Sequence, residues 1–170
     1  MRQAKVLASE QQQEIVAEQF PNLALPHPGY LSTKFSPWHP GVDLATGLGM
    51  PVRPIAEGVV EEVNIWLWGY GNHVIVSHSR GLKSLYGHMG RIYVKKGQIV
   101  SQNTILGEVG LTGYTSGPHT HLEIQKDGQN IDPLTILPPV PSYPSPETLR
   151  PAGGDQIKSD LVKTLKPDFN

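Results

Sequence analysis

The 170-residue chain contains no cysteine. That excludes disulfide bonds, thiol nucleophiles and every cysteine-held zinc or iron–sulfur site, so a transition metal would have to be held by histidine and carboxylate. It also leaves the redox compartment unread. An excess of charge of one sign is missing too. Fourteen Lys and Arg against 15 Asp and Glu give a net charge of -1 at pH 7, and no stretch gathers enough basic side chains to grip a phosphate backbone. Nucleic acid is therefore not an expected partner. No apolar run reaches the roughly 18 residues needed to cross a bilayer, so no transmembrane segment is expected. The opening Met1-Arg2-Gln3-Ala4-Lys5 leads into a Gln- and Glu-rich stretch rather than an apolar core, which does not read as a signal peptide.

Glycine and proline, by contrast, are plentiful and unevenly placed. Of 18 Gly, 16 lie between Gly29 and Gly128, whereas six of the 16 Pro crowd between Pro138 and Pro151. Glycine punctuates the turns of a compact domain, and a proline run favours an extended segment. The expected organisation is an N-terminal helix or linker over 1–26, a domain over 27–137, and a Pro-rich, partly disordered tail over 138–170 with a weak helical stripe at Ile157, Leu161, Val162 and Leu165. Within the domain, short segments at 58–65, 73–78, 83–88, 104–109 and 121–126 alternate apolar and polar residues and end at glycine. Short strands at this spacing, without long helical patterns between them, predict an all-β antiparallel sandwich or open barrel with irregular or helical termini. Asp127-Gly128, between two strand-like runs, marks a hairpin turn.

All seven His fall between His27 and His121. His39 and Asp43 stand four apart, but Pro40-Gly41 directly after the His argues against a continuous helix, so the pair is expected on a turn entering a strand at 42–45. His119 and His121 are i and i+2, which on a strand project from one face. Together the two groupings offer one more ligand than the three, plus an open water position, of a catalytic zinc site. His88, in Tyr86-Gly87-His88-Met89, ends a predicted strand and by itself reads as structural. His27, in Pro26-His27-Pro28, is expected in an extended entry segment. Trp38 beside His39, and Trp66 and Trp68 in a Gly-rich loop, are candidates for lining a groove or for packing.

The order and separation of His39-x-x-x-Asp43, Tyr86-Gly87-His88-Met89 and Gly117-Pro118-His119-Thr120-His121 resemble those of the LytM-type, or M23, zinc metallopeptidases of bacterial cell walls. Connecting stretches over 51–60, 69–78, 94–100 and 107–113 resemble the family as well, so the likeness covers about 35–137. It implies a duplicated-hybrid-motif-like β fold, with Zn²⁺ held by His39, Asp43 and His121 and with His88 and His119 as catalytic histidines. It further implies His78 as a support at the site edge, and a substrate among the stem-peptide cross-links or bridges of peptidoglycan. Such a substrate places the protein outside the cytoplasmic membrane, as an excised domain or one exported by a host or phage lysis route, with envelope proteins as possible partners of the tails. Two alternatives remain at this level. One is a non-catalytic peptidoglycan-binding regulator of another hydrolase, against which all five filled positions count. The other is a biotinyl- or lipoyl-type carrier, which would need no such histidine set.

Overall fold

A computed structural model describes residues 22–142. The helix expected over 1–20 and the weak stripe after the proline run lie outside the described residues. Ten strands follow in order: β1 (Tyr30–Thr33), β2 (Val42–Ala45), β3 (Pro51–Val52), β4 (Gly58–Asn64), β5 (Asn72–Ser77), β6 (Leu82–Ile92), β7 (Ile99–Val100), β8 (Gly107–Val109), β9 (His119–Lys126) and β10 (Gln129–Ile131). The described helices are single 3-10 turns at Ser79–Gly81 and Pro133–Thr135, and none is long and apolar enough to cross a membrane. Every pairing between these ten strands is antiparallel, and the main order is β1-β2-β9-β6-β5-β4-β7, with β10 on β9 and β8 bridging β3 and β6. The all-β antiparallel expectation holds, as an open sheet rather than a closed barrel.

Period-two alternation fixes which face each strand buries. Leu122 and Ile124 of β9, Val42 and Leu44 of β2, Leu82 and Tyr86 of β6, and Val74 and Val76 of β5 are all buried in one continuous core. Burying each such aliphatic side chain contributes roughly 1.5–3 kcal/mol. A one-residue slip of β9 would exchange this set for the histidines, so the core pins the register on which the functional face depends. Leu23 and Leu25 also pack against the core, and the Ala24 N–H donates to the Ile55 carbonyl at 2.9 Å.

Two elements differ from the sequence expectation by three residues or more. The strand expected at 104–109 begins only at Gly107, because residues 101–104 close a turn: Thr104 N–H donates to Ser101 O at 2.8 Å, and Ser101 N–H to Thr104 Oγ1 at 3.0 Å. The strand expected at 83–88 instead runs to Ile92. It changes partner on the way, pairing with β9 up to Gly87 and with β8 from Met89. The Asp127-Gly128 hairpin forms as expected between β9 and β10, with φ of 50° and 81°, both in the left-handed region that a type I′ turn requires.

Tyr86 carries a polar group into the centre of this core. Its hydroxyl accepts the Ile55 N–H at 2.8 Å and is hydrogen-bonded to Ser84 Oγ at 2.8 Å. Tyr86→Phe keeps the ring but leaves a buried N–H unpaired, a change that costs about 1–3 kcal/mol. A urea titration should show a lowered midpoint with unchanged slope; an unchanged midpoint would mean that water or a neighbour replaces the hydroxyl.

Candidate active site

The register of β2, β9 and β6 gathers the polar residues of the opposite face. Asp43 pairs directly with His121 and Ala45 with His119, while Gly87 of β6 flanks His121 from the other side. A Cβ on Gly87 would come within 3.3 Å of both His121 Cβ and the Tyr70 carbonyl oxygen. Glycine therefore leaves the room that the imidazole needs. His39 arrives from a tight turn, as expected, closed by reciprocal Ser36 N–H to His39 O and His39 N–H to Ser36 O bonds of 2.9 and 3.1 Å. His88 sits where β6 passes from β9 to β8 and holds φ at 58°, a conformation that costs a non-glycine residue energy. Its N–H donates to Tyr70 O at 2.7 Å, and its carbonyl accepts the Gly110 N–H at 2.9 Å.

All five sequence-predicted residues meet. Asp43 Oδ1 lies 2.8 Å from His121 Nδ1, 3.1 Å from His39 Nε2 and 3.6 Å from His119 Nε2. The His88 and His119 rings are edge-to-face at 4.7 Å, and His88 stands 6.0 Å from the His121 ring.

Hydrogen-bond partners assign the tautomers. A carbonyl can only accept, so His39 Nδ1 donates to Lys34 O at 3.2 Å, His88 Nδ1 to Thr112 O at 2.9 Å and His119 Nδ1 to Gly117 O at 2.9 Å. Each ring then turns a lone pair at Nε2 inward. His121 is held the other way round: Nε2 donates to Glu123 Oε1 at 3.2 Å, leaving Nδ1 towards Asp43. Glu123 is itself buried, accepting from Tyr70 OH at 2.5 Å and Asn130 Nδ2 at 2.9 Å, while the Tyr70 ring stacks on His121 at 5.4 Å.

Electrostatics follow this crowding. Burial opposes charge on His121, but the hydrogen bonds and charges of Asp43 and Glu123 outweigh it and raise its pKa to about 9. Burial likewise opposes ionisation of Asp43, and its bonds to His121 and Thr33, with the neighbouring histidines, bring its pKa down to about 2. His88 is pushed below the ordinary histidine range, first by burial and then by His119 and His121, against the pull of its Thr112 bond and Asp43.

The donor set fits a metal ion. His39, Asp43 and His121 each present one ligand atom, all within 4.8 Å of one another. Tetrahedral zinc with bonds near 2.0–2.1 Å holds its ligands about 3.3 Å apart, close to the spacings around Asp43 Oδ1. Inward lone pairs facing a carboxylate need a cation between them, whether proton or metal. Beside His119 an open groove of about 1160 Å³ is lined by Tyr30, Ala45, Met50, Ser116, Pro118 and Pro139, among others.

Residues 37–133 match the model of peptidase family M23, more than half of the chain. The chain belongs to that family. It is similar to the DD-carboxypeptidase/endopeptidase Mpg of Neisseria meningitidis serogroup B, 33% identical over 128 residues, covering 75% of this chain and 29% of that protein. It is also similar to the peptidoglycan DD-endopeptidase ShyA of Vibrio cholerae, 34% identical over 110 residues, covering 64% of this chain and 25% of that one. The crystal structure of a zinc-containing peptidase from Vibrio cholerae superposes with a TM-score of 0.61 at 27% identity, covering 70% of this chain and 41% of the other. This M23 chain thus spans less than a third of the two curated relatives.

Other histidines are placed apart from the centre. His27, expected in an extended entry segment, is buried and bonds Thr120 Oγ1 at 2.8 Å, bracing β9 from the core side between His119 and His121. His78 bonds Glu57 O and Ser84 Oγ at 2.8 and 2.7 Å, which makes it part of the Tyr86 network rather than a support of the M23 centre. His73 bonds Gly71 O and Asn64. Sequence reasoning assigned no role to Tyr70 or Asn130. Tyr70 lies in a stretch that resembles the family, but nothing local marks the Asn130 contact, which comes from the β9–β10 hairpin.

The His121 pairing has a pH signature in protein stripped of metal. A raised folded pKa stabilises fully below the unfolded value near 6.5 and is lost as pH rises through about 9. The excess thermal midpoint of wild type over His121→Gln should therefore be largest near pH 6 and shrink towards pH 10. A difference that stays flat across that range would contradict the pairing.

Proposed function

We propose that this M23 domain is a zinc-dependent metalloendopeptidase that hydrolyses peptide bonds of bacterial peptidoglycan, in stem-peptide cross-links or bridges, outside the cytoplasmic membrane. The observation that carries this reading is the convergence of imidazole nitrogens on Asp43 Oδ1 in a half-open centre beside a groove with room for an extended peptide. The peptidoglycan substrate and the envelope location are supported by the named activity of ShyA, and zinc by the donor set and the Vibrio cholerae structure.

In this reading His39, Asp43 and His121 hold the metal, and Glu123 orients His121 through its Nε2–H. When bound, zinc supplies a Lewis acid for the scissile carbonyl and acidifies a water towards neutrality. His119 takes a proton at Nε2, which its Nδ1 bond to Gly117 leaves as the basic nitrogen. His88, kept neutral by burial and fixed by Thr112, presents its Nε2 lone pair on the other side, so it delivers a proton to the leaving amine only after taking one up there from the attacking water. The strained backbone at His88 is an orientation cost that the rest of β6 and β8 sustains.

Digesting purified peptidoglycan with zinc-loaded protein and identifying the fragments by mass spectrometry tests the reading; released sugars with intact peptides would contradict it. His39→Ala and His121→Ala should lose zinc, whereas His88→Ala should keep it and lose about 10²–10⁴ in kcat. A zinc-free His88→Ala protein would overturn that division. Glu123→Gln should weaken zinc affinity about 10–100-fold in a chelator competition; no change would remove Glu123 from the centre.

A further inference from the structure

The proline run that begins at Pro138 is a motif of the sequence that the metal centre does not use. Its first residues lie against the outermost strand of the main sheet order, β1. Leu31 N–H of β1 donates to Pro141 O at 2.8 Å, and Leu31 forms a parallel bridge with Ser142. The segment is held from behind as well. The 3-10 turn Pro133–Thr135 leads through buried Ile136 and Leu137 to Val140, which packs against the core. Neighbours in an extended segment point in opposite directions, so Pro139 and Pro141 face away from Val140. Both are exposed, and both line the groove beside His119.

Covering a sheet edge accounts for the Pro141 carbonyl but not for the rings. Proline has no N–H, so the segment closes that edge to further strands whatever its rings touch. The rings contribute to a surface of one chemistry. Pro139 and Pro141 share the groove with Tyr30, Met50 and Pro118, and among the described residues that line it there is no Asp, Glu, Lys or Arg. His119 joins this surface to the metal centre. A carboxylate or ammonium laid against prolyl rings and Met50 would give up water with no ion to pair with, whereas an uncharged stretch of peptide buries apolar surface there.

We propose that Pro139 and Pro141 are specificity-determining residues: their rings form a wall of the groove that takes an uncharged stretch of the substrate peptide on the His119 side of the scissile bond. That the peptide belongs to peptidoglycan rests on the hydrolase reading above, whereas the wall and its demand for an uncharged ligand rest on the groove. Such a wall holds substrate and transition state alike, so it acts on KM rather than on kcat.

Charge placed on the wall of the full chain tests this, with the cross-linked disaccharide-peptide dimer that a muramidase releases from peptidoglycan as the probe. In zinc-loaded protein, Pro139→Glu and Pro139→Lys should each raise KM about tenfold and leave kcat within about twofold, at an unchanged unfolding midpoint. Calorimetry on metal-free protein should show the same loss in Kd. Pro139→Ala, which is neutral, should raise KM less than either charge. Opposite shifts by Glu and Lys would put an ionised part of the substrate at the wall and overturn the proposal. So would affinity that ignores both charges, no binding of the dimer at all, a loss in kcat at constant KM, or a rise as large in Pro139→Ala, which would reduce Pro139 to a structural part of the segment. A dimer that binds with the expected pattern but is not cleaved would refute the hydrolase reading and leave the wall standing.

Discussion

Asp43 Oδ1 is the point on which the centre is built. His39 and His121 approach it within hydrogen-bond distance, and the lone pair of His119 faces it from 3.6 Å. Acceptors packed this closely repel one another unless a cation lies among them, and a buried carboxylate is costly without compensation. In the metal-free chain the compensation is a proton on His121, hence its upward shift and the downward shift of Asp43. A divalent cation would serve the same need with more charge. Structure and proposed chemistry thus share one electrostatic cause.

The surrounding fold keeps that arrangement from relaxing. The Asp43–His121 pairing is fixed by the register of β2 on β9, and the register is fixed by the burial of Leu122, Ile124, Val42 and Leu44 on the other face. Gly87 makes space for the His121 ring, Tyr70 covers it, and Glu123 and Asn130 hold its far nitrogen in place. His27, on the core side, braces the residue between the two β9 histidines. His88 reaches the same space only because β6 changes partners there and takes up a left-handed turn of backbone.

Much of this was legible in the sequence, and the reason is local. Period-two alternation marked the strands, the i, i+2 spacing put His119 and His121 on one face, and Pro40-Gly41 put His39 on a turn before the strand of Asp43. Choosing three ligands from the four candidates, and giving His88 a role, needed the family resemblance, because a lone histidine at a strand end carries no spacing signal. What remained hidden depends on contacts far apart in the chain. Tyr70 meets Glu123 across 53 residues and His27 meets Thr120 across 93, and no local pattern encodes either. The exposure of Trp38, Trp66 and Trp68 was equally open, since an aromatic in a loop packs or protrudes according to what the rest of the fold leaves beside it.

The central claim is that Asp43 gathers the histidines into a single metal-binding centre. Calorimetric titration of the metal-free chain with Zn²⁺, beside Asp43→Asn, tests it most directly. The account predicts one zinc per wild-type chain and an affinity at least about 100-fold weaker in the variant, which keeps the shape but lacks the charge. Equal affinity in the two proteins, or no stoichiometric zinc in the wild type, would contradict it.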